Sequence, residues 1–192
     1  MVGLFRKKNI THEPIDKQIA DVKKLNHLIA NEILNGLDCD KLPNSSGAFG
    51  SLTNPIPVNG PLGEIKYLGK LRGETGYAVF YHRIGIKSSP ATNKLIDIFE
   101  LVCQDGSQWN TLCFDYYHPR RSNLIPYGYS LIPYNKNLKM DIPFTYGVTY
   151  FVTDFPYGIP NAIENDFGKS NAFSKYAREK LNKYNFERPN QK

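Results

Sequence analysis

The stretch from Phe114 to Ser122 carries most of the side-chain types that can do chemistry. Its sequence, Phe-Asp-Tyr-Tyr-His-Pro-Arg-Arg-Ser, brings together a carboxylate, two phenols, an imidazole, two guanidiniums and a hydroxyl. Arginine pairs bidentately with phosphate or carboxylate groups, so two adjacent arginines can grip one anion or bridge two. A proline beside them restricts the backbone and lowers the cost of ordering the loop. We therefore predict a local anion-recognising loop formed by His118, Pro119, Arg120, Arg121 and Ser122.

A structural interpretation of the same two arginines is also open. Arg120 and Arg121 could form ion pairs with acids of the body, which would tie down the irregular chain that follows them. Acids of the body such as Asp97, Asp115 or Asp141 could take this role. Under the first interpretation, by contrast, the partner is an acidic or phosphate-bearing ligand or protein that contacts the two arginines.

A catalytic alternative uses the same loop. His118, or His82 on a predicted strand, could act as general base in a small phosphodiester hydrolase or nuclease, with the arginines stabilising transition-state charge. Asp115 is a weak candidate to join them. The two histidines and Asp115 match no metal-ligand spacing, so we predict no metal ion and no cofactor. Whether the protein is an enzyme stays open, and a non-enzymatic binding or interaction module is the favoured hypothesis.

Other motifs carry little signal. Glu64-Ile-Lys66 matches the E-x-K half of a restriction-type nuclease site, but we interpret it as the solvent face of an amphipathic strand. The three cysteines show neither a C-x-x-C spacing nor a disulfide framework. The sequence contains no phosphate-binding P-loop and no nucleophile elbow.

The basic charge of the chain lies at its two ends. The formal net charge is +6, of which residues 1–24 carry +3 and residues 169–192 carry +5, leaving −2 on the body between them. A slightly acidic body does not favour nucleic acid as a partner, although the basic ends leave it possible. No apolar run approaches the roughly 18 residues of a membrane span, and no secretory signal is evident, so we expect a cytoplasmic protein.

A scaffold must position the loop, and the hydrophobic pattern predicts one. Residues 10–36 repeat apolar side chains at helical spacing, which predicts a helix capped by Thr11. Residues 37–63 are rich in turn-forming types and predict a wrapping loop or a lid. Strand patterns follow in residues 64–71, 77–86, 95–103, 109–117 and 144–155, and a helix capped by Ser170 or Asn171 is predicted over residues 170–184.

Asp105-Gly106 predicts a two-residue hairpin turn between the strands at 95–103 and 109–117. With this turn at its tip, Glu100 lies opposite Thr111, and Val102 lies opposite Trp109. Opposed residues share a face of the sheet.

We predict one α+β domain over residues 10–184, between a basic tail at 1–9 and a C-terminal tail at 185–192. Its sheet is an antiparallel meander of about five strands with the N-terminal and C-terminal helices packed on it.

Overall fold

The computed structural model describes residues 11–137, 146–169 and 171–189. The predicted tail at 1–9, the possible cap Ser170 and the possible ion-pair partner Asp141 lie outside these ranges. The described helices are α1 (Ile15–Val22), α2 (His27–Leu34), α3 (Gly60–Lys70), α4 (Ile159–Phe167) and α5 (Ala172–Lys183). The described strands are β1 (Ile56–Pro57), β2 (Leu71–Gly73), β3 (Val79–Ser88), β4 (Leu95–Cys103), β5 (Trp109–Asp115), β6 (Tyr129–Leu131) and β7 (Gly147–Val148).

The main sheet has five strands in the order β1-β5-β4-β3-β7, and β2 pairs with β6 in a separate two-stranded sheet. The central strands β3, β4 and β5 form an antiparallel meander. The outer pairs β1–β5 and β3–β7 are parallel. The α+β class is therefore confirmed, whereas the prediction of a purely antiparallel sheet is wrong. The short strands β1 and β7 join the sheet through long connections, which permit parallel pairing where a tight hairpin does not.

The β4–β5 hairpin has the register predicted from the sequence. Gly106 has a φ of 76°, in the left-handed region that glycine tolerates, and its N–H donates to the carbonyl of Cys103 over 2.8 Å. The two strands consequently hold the predicted residues on each face. The pairs include Val102 with Trp109, Glu100 with Thr111, and Ile98 with Cys113.

Residues 60–70 form helix α3, so the strand predicted from Glu64 is wrong. The neighbours Tyr67 and Leu68 are both fully buried, and successive residues of a half-buried strand cannot share the core in that way. Pro61 lies in the first turn of the helix, where its missing N–H leaves no hydrogen bond unmade. The helix packs between the sheet and α1, which buries it on most sides.

The helix predicted over residues 10–36 is divided into α1 and α2. Pro14, rather than the predicted Thr11, precedes the first helical residue of α1. The helix is interrupted between Val22 and His27. The Asn26 side chain caps α2 by accepting a hydrogen bond of 3.0 Å from the N–H of Leu28. The region 37–63 is also more regular than predicted, since it contains β1 and the start of α3.

The strand predicted over residues 144–155 is reduced to β7 in its described part. Helix α4 follows it and was not predicted, because Pro156 and Gly158 indicate a break in regular structure. Pro160 occupies the first turn of this helix, where proline is tolerated. The helix predicted over 170–184 is found as α5, and Asn171 caps it through a 2.8 Å hydrogen bond from the N–H of Phe173.

Two apolar clusters lie on opposite faces of the sheet. Phe99 and Leu101 of β4 pack with Tyr67 and Leu68 of α3 on one face. On the other face, the alternate residues of β3 and β4 pack against α4, α5 and the chain that follows α5. Strand β4 is thus covered on both faces, and each face carries a different group of polar residues.

Candidate functional site

The predicted anion loop follows β5 directly, and the long side chain of Arg121 is almost completely buried. The Arg121 side chain is 1% exposed, and its Nη2 atom lies 3.0 Å from the Glu13 Oε1 atom. The Lys66 ammonium contacts the same carboxylate over 2.6 Å and contacts Asp21 over 2.6 Å. The Arg121 guanidinium therefore belongs to a buried ionic network between the loop, α1 and α3.

Arg120 is partly accessible, and two carboxylates surround it. Its Nε atom lies 2.5 Å from Asp38 Oδ1, and its Nη1 atom lies 2.5 Å from Asp40 Oδ1. Burial tends to raise the pKa of Asp40, but the hydrogen bonds from Asn123 and Arg120 lower it below its usual range. The charge of the Arg120 guanidinium is thus matched by two carboxylates of the segment that follows α2.

His118 and Ser122 complete the loop through contacts to the backbone. The His118 Nδ1 atom lies 2.6 Å from the Leu37 carbonyl oxygen, and its Nε2 atom lies 3.3 Å from Asp115 Oδ2. Burial tends to lower the His118 pKa, but Asp115, the Cys39 thiol and the Leu37 carbonyl raise it to about 9. The Ser122 hydroxyl donates to the Asp40 carbonyl over 2.6 Å. The contacts to the Leu37 and Asp40 carbonyl groups anchor the segment that follows α2.

The carboxylates that meet the two arginines are Glu13, Asp38 and Asp40. The sequence suggested other acids for this role. Asp97 instead pairs with Arg83 over 3.0 Å. Asp115 faces His118.

A second polar group lies on the opposite face, around His82 of β3. The ring is fully buried and stacks on Phe155 with the ring centroids 4.1 Å apart. The Val152 N–H donates to His82 Nδ1 over 3.0 Å, so the proton of the ring resides on Nε2 and is donated to Glu100 Oε2 over 2.9 Å. Burial lowers the His82 pKa and outweighs the opposing effect of Glu100. His82 is therefore a neutral ring with both nitrogens engaged.

The Glu100 carboxylate is the centre of this group. It accepts hydrogen bonds from His82, from the Trp109 indole N–H over 2.7 Å, and from Arg188 Nε over 2.8 Å. A second Arg188 nitrogen, Nη2, contacts the other carboxylate oxygen, which makes the arginine contact bidentate. Burial tends to raise the Glu100 pKa, but these three donors lower it. Two donors are fixed in the wall, whereas the Arg188 side chain is 54% exposed.

An open cleft of about 520 Å³ surrounds the Glu100 carboxylate, and we call it the Glu100 cleft. Five aromatic side chains contribute to its wall, with Thr111, Thr153 and Asp154 as further polar residues. The Arg188 guanidinium lies 5.8 Å from the Trp109 ring centroid, within range of a cation–π interaction. The aromatic residues of the wall are Trp109, Phe151, Phe155, Tyr157 and Phe186.

The predicted candidates His82 and His118 have separate sets of partners. His82 pairs with Glu100, which lies opposite Thr111 of β5. Asp115, the partner of His118, is four residues farther along β5, about 13 Å at the rise of a strand. The structure therefore brings His118 and Asp115 together and leaves His82 in a different group.

Glu64 and Lys66 are buried, so their interpretation as a solvent-facing pair is wrong. Glu64 is 1% exposed, and burial together with the neighbouring Asp97 raises its pKa well above the usual range. Lys66 points to the other side of α3, toward α1. The two residues of the E-x-K motif consequently serve different clusters.

The cysteines are free thiols. Burial raises the pKa of Cys103 to about 12 and that of Cys113 to about 11, which disfavours thiolate chemistry. Among the described residues, no three His, Cys, Asp or Glu side chains are grouped so that they could hold a metal ion. Within the same ranges, every helix is too short or too polar to cross a membrane.

Part of the Glu100 cleft can be derived from the sequence. The hairpin register already places Glu100 and Trp109 on one face. The contributions of His82 and Arg188 depend on contacts between distant parts of the chain, so the sequence did not predict the cleft.

Comparison of the chain with protein-family models, with curated proteins and with solved structures gives no match.

Proposed function

We propose that the protein is a non-enzymatic binding module whose Glu100 cleft receives a cationic organic group, in particular a guanidinium. The observation that carries this proposal is the chemistry of the Glu100 carboxylate. Two neutral donors of the wall, His82 and the Trp109 indole, fix its orientation. They leave its negative charge to be balanced by a cation that is held bidentately beside an aromatic ring.

In the structure, the chain itself supplies that cation. Arg188 lies beyond the last helix, and its guanidinium remains half accessible while it contacts Glu100. An arginine on a partner would find the same carboxylate, the same ring and an open volume of about 520 Å³ around them. The role of Arg188 is thus that of an internal ligand that a partner group replaces.

A binding measurement on the Arg188→Ala variant tests the proposal. The probe is N-acetyl-arginine amide, and binding is followed by the NMR signal of the Trp109 indole N–H, which contacts Glu100 directly. We expect a saturable shift in Arg188→Ala and a much weaker one in the wild-type chain. Arg178→Ala is the matched control, because Arg178 is an exposed arginine that pairs with Glu164 on another surface.

Two further arms separate charge recognition from nonspecific binding. N-acetyl-citrulline amide has nearly the same shape as the arginine probe but no charge, so we expect it not to bind. The double variant Glu100→Gln/Arg188→Ala should lose binding of the arginine probe. An equal response to both probes, or no saturable response in Arg188→Ala, would overturn the proposal.

Anion recognition by His118, Arg120, Arg121 and Ser122 stays a prediction. The carboxylates of Asp38, Asp40 and Glu13 weigh against it, since an added anion must compete with them for each guanidinium. A phosphate titration that stabilises the wild-type chain and not Arg120→Gln would support it.

The hydrolase alternative also stays a prediction. It requires a histidine with a nitrogen free to accept a proton. The partners of both His82 nitrogens, and the separation of His82 from the His118–Asp115 pair, weigh against it. Hydrolysis of a generic phosphodiester that is lost in His118→Gln would support this alternative.

A further inference from the structure

Strand β5 has an open edge beside the Glu100 cleft. Hydrogen-bonded pairs with β4 involve the even-numbered residues of β5, so the main-chain groups of the odd-numbered residues point away from β4. The Cys113 N–H uses this edge to donate to the Gly50 carbonyl over 2.8 Å. The main-chain groups of Thr111 and Trp109 continue the same edge, and no hydrogen bond joins them to another described residue.

A second cleft lies on the other face of the same edge. It has a volume of about 460 Å³, and we call it the tyrosine groove. Thr111 lines both clefts, because it sits on the rim that separates them. Tyr127 is 96% exposed above the groove. The other residues that characterise the groove are Phe49, Gln108, Asn110, Leu112 and Tyr129.

We infer that the partner is an extended polypeptide segment that adds a strand to the open edge of β5 and inserts a basic side chain, preferably arginine, into the Glu100 cleft. This inference rests on the proposed function, because it uses the same carboxylate. Main-chain groups of a strand edge are satisfied by another extended backbone, and alternate side chains then provide specificity.

The geometry of a sheet places the side chains of such a segment. A residue opposite Thr111 shares the face of Thr111 and Glu100. Two strand spacings, about 10 Å, separate its backbone from that of Glu100, which an arginine and a glutamate side chain span together. The residues on either side of this arginine point to the opposite face, toward the tyrosine groove.

Charge complementarity selects the basic residue, and the aromatic groove selects its neighbours. The bidentate contact of Arg188 shows that a guanidinium fits the Glu100 carboxylate. The groove presents aromatic rings together with the side-chain amides of Gln108 and Asn110. Apolar or aromatic residues directly before and after the arginine therefore suit it.

The test uses the full chain carrying Arg188→Ala and the peptide acetyl-Val-Thr-Val-Arg-Val-Thr-Val-amide. Two N-methylated versions of the peptide, one at its odd and one at its even positions, each block a single edge of the peptide strand. We expect the unmodified peptide to bind and one of the two N-methylated versions to bind about tenfold more weakly, since the lost hydrogen bonds are worth about that factor.

Variants of Thr111 examine the protein side of the same contact. Thr111→Pro removes an N–H that faces the open edge and leaves the ladder to β4 intact, whereas Thr111→Val keeps the N–H and serves as the matched control. We expect Thr111→Pro to bind the peptide about tenfold more weakly than Thr111→Val does. If Thr111→Pro does not fold, the N-methylated peptides decide the question.

The outcomes distinguish this inference from the proposed function. Binding of the arginine probe without binding of the peptide overturns strand addition and leaves the proposed function standing. Equal binding of all three peptides also overturns strand addition, because it shows capture of the side chain alone. Concentration-dependent dimers that Thr111→Pro abolishes would identify a second copy of this chain as the occupant and overturn the inference. Failure of the arginine probe itself overturns both.

Discussion

The charge state of His118 makes the strongest prediction about stability. Both ring nitrogens face acceptors, the Leu37 carbonyl at 2.6 Å and the Asp115 carboxylate at 3.3 Å. The Leu37 carbonyl accepts the proton of Nδ1, and the buried Asp115 carboxylate at ion-pair distance favours a positive charge on the ring, so we expect an imidazolium in the folded chain. The pKa of about 9, against an ordinary value of 6.5, expresses this preference for the protonated form.

The pH dependence follows from the direction of this shift. A proton is bound more tightly to His118 in the folded chain than in the unfolded chain, so its stabilisation is complete below pH 6.5 and is lost as the pH rises to about 9. At 1.36 kcal/mol for each pKa unit, the stabilisation amounts to about 3 kcal/mol. His118→Gln cannot bind this proton, so its disadvantage against the wild-type chain should shrink by about 3 kcal/mol over the same range.

Urea unfolding from pH 6 to pH 9.5, followed by tryptophan fluorescence, measures this difference. His27→Gln is the matched control, because His27 is exposed at the start of α2 and should leave the pH profile unchanged. Parallel profiles for the wild-type chain and His118→Gln would refute the reasoning. If the variant does not fold, an NMR titration of the wild-type imidazole decides the matter, and an apparent pKa near 6.5 for His118 would contradict the structure.

Three other predictions concern ionisable side chains that the fold buries fully or in part. NMR should find His82 neutral with its proton on Nε2 at pH 7, and an imidazolium at that pH would contradict the hydrogen bond from the Val152 N–H. Glu64→Gln should raise the free energy of unfolding more at pH 8 than at pH 5, because a carboxyl with a raised pKa loses stabilisation as the pH rises; the exposed Glu179→Gln should show no such trend. In urea unfolding, Arg121→Ala should cost about 3–5 kcal/mol, since it leaves a buried carboxylate without this partner, whereas the more exposed Arg120→Ala should cost about 1 kcal/mol; equal costs would contradict the burial.

The sequence predicts those parts of the fold in which local chemistry determines register. The turn at Asp105-Gly106 fixes the pairing of β4 with β5, and the same pairing places Glu100 and Trp109 on one face. The pairing of β3 with β4 is different. A six-residue loop joins those strands, and a bulge between Arg83 and Gly85 shifts the register, so the contact of His82 with Glu100 could not be derived from alternation.

The ionic partners of the loop show a related limit. The structural interpretation of Arg120 and Arg121 predicted ion pairs with acids of the body. The partner carboxylates belong to Glu13, just before α1, and to the segment after α2. Those segments have no periodicity that fixes their path across the sheet. Helix α3 was predicted as a strand for a different reason. Its polar residues Glu64 and Lys66 alternate with apolar ones, which is typical of a strand with one solvent-exposed face, but both are buried in the structure.

The tether on Arg188 determines how the Glu100 cleft must be studied. An internal ligand held by a short linker acts at an effective concentration in the millimolar range, so a partner must exceed that level of competition. Phe186, two residues earlier, is buried against Phe80 and keeps the tether short. A single arginine side chain therefore competes poorly, whereas a strand that also pairs with Thr111 adds main-chain hydrogen bonds that Arg188 does not supply. Displacement of Arg188 in the wild-type chain should consequently require an extended peptide, and free arginine should suffice only after Arg188→Ala.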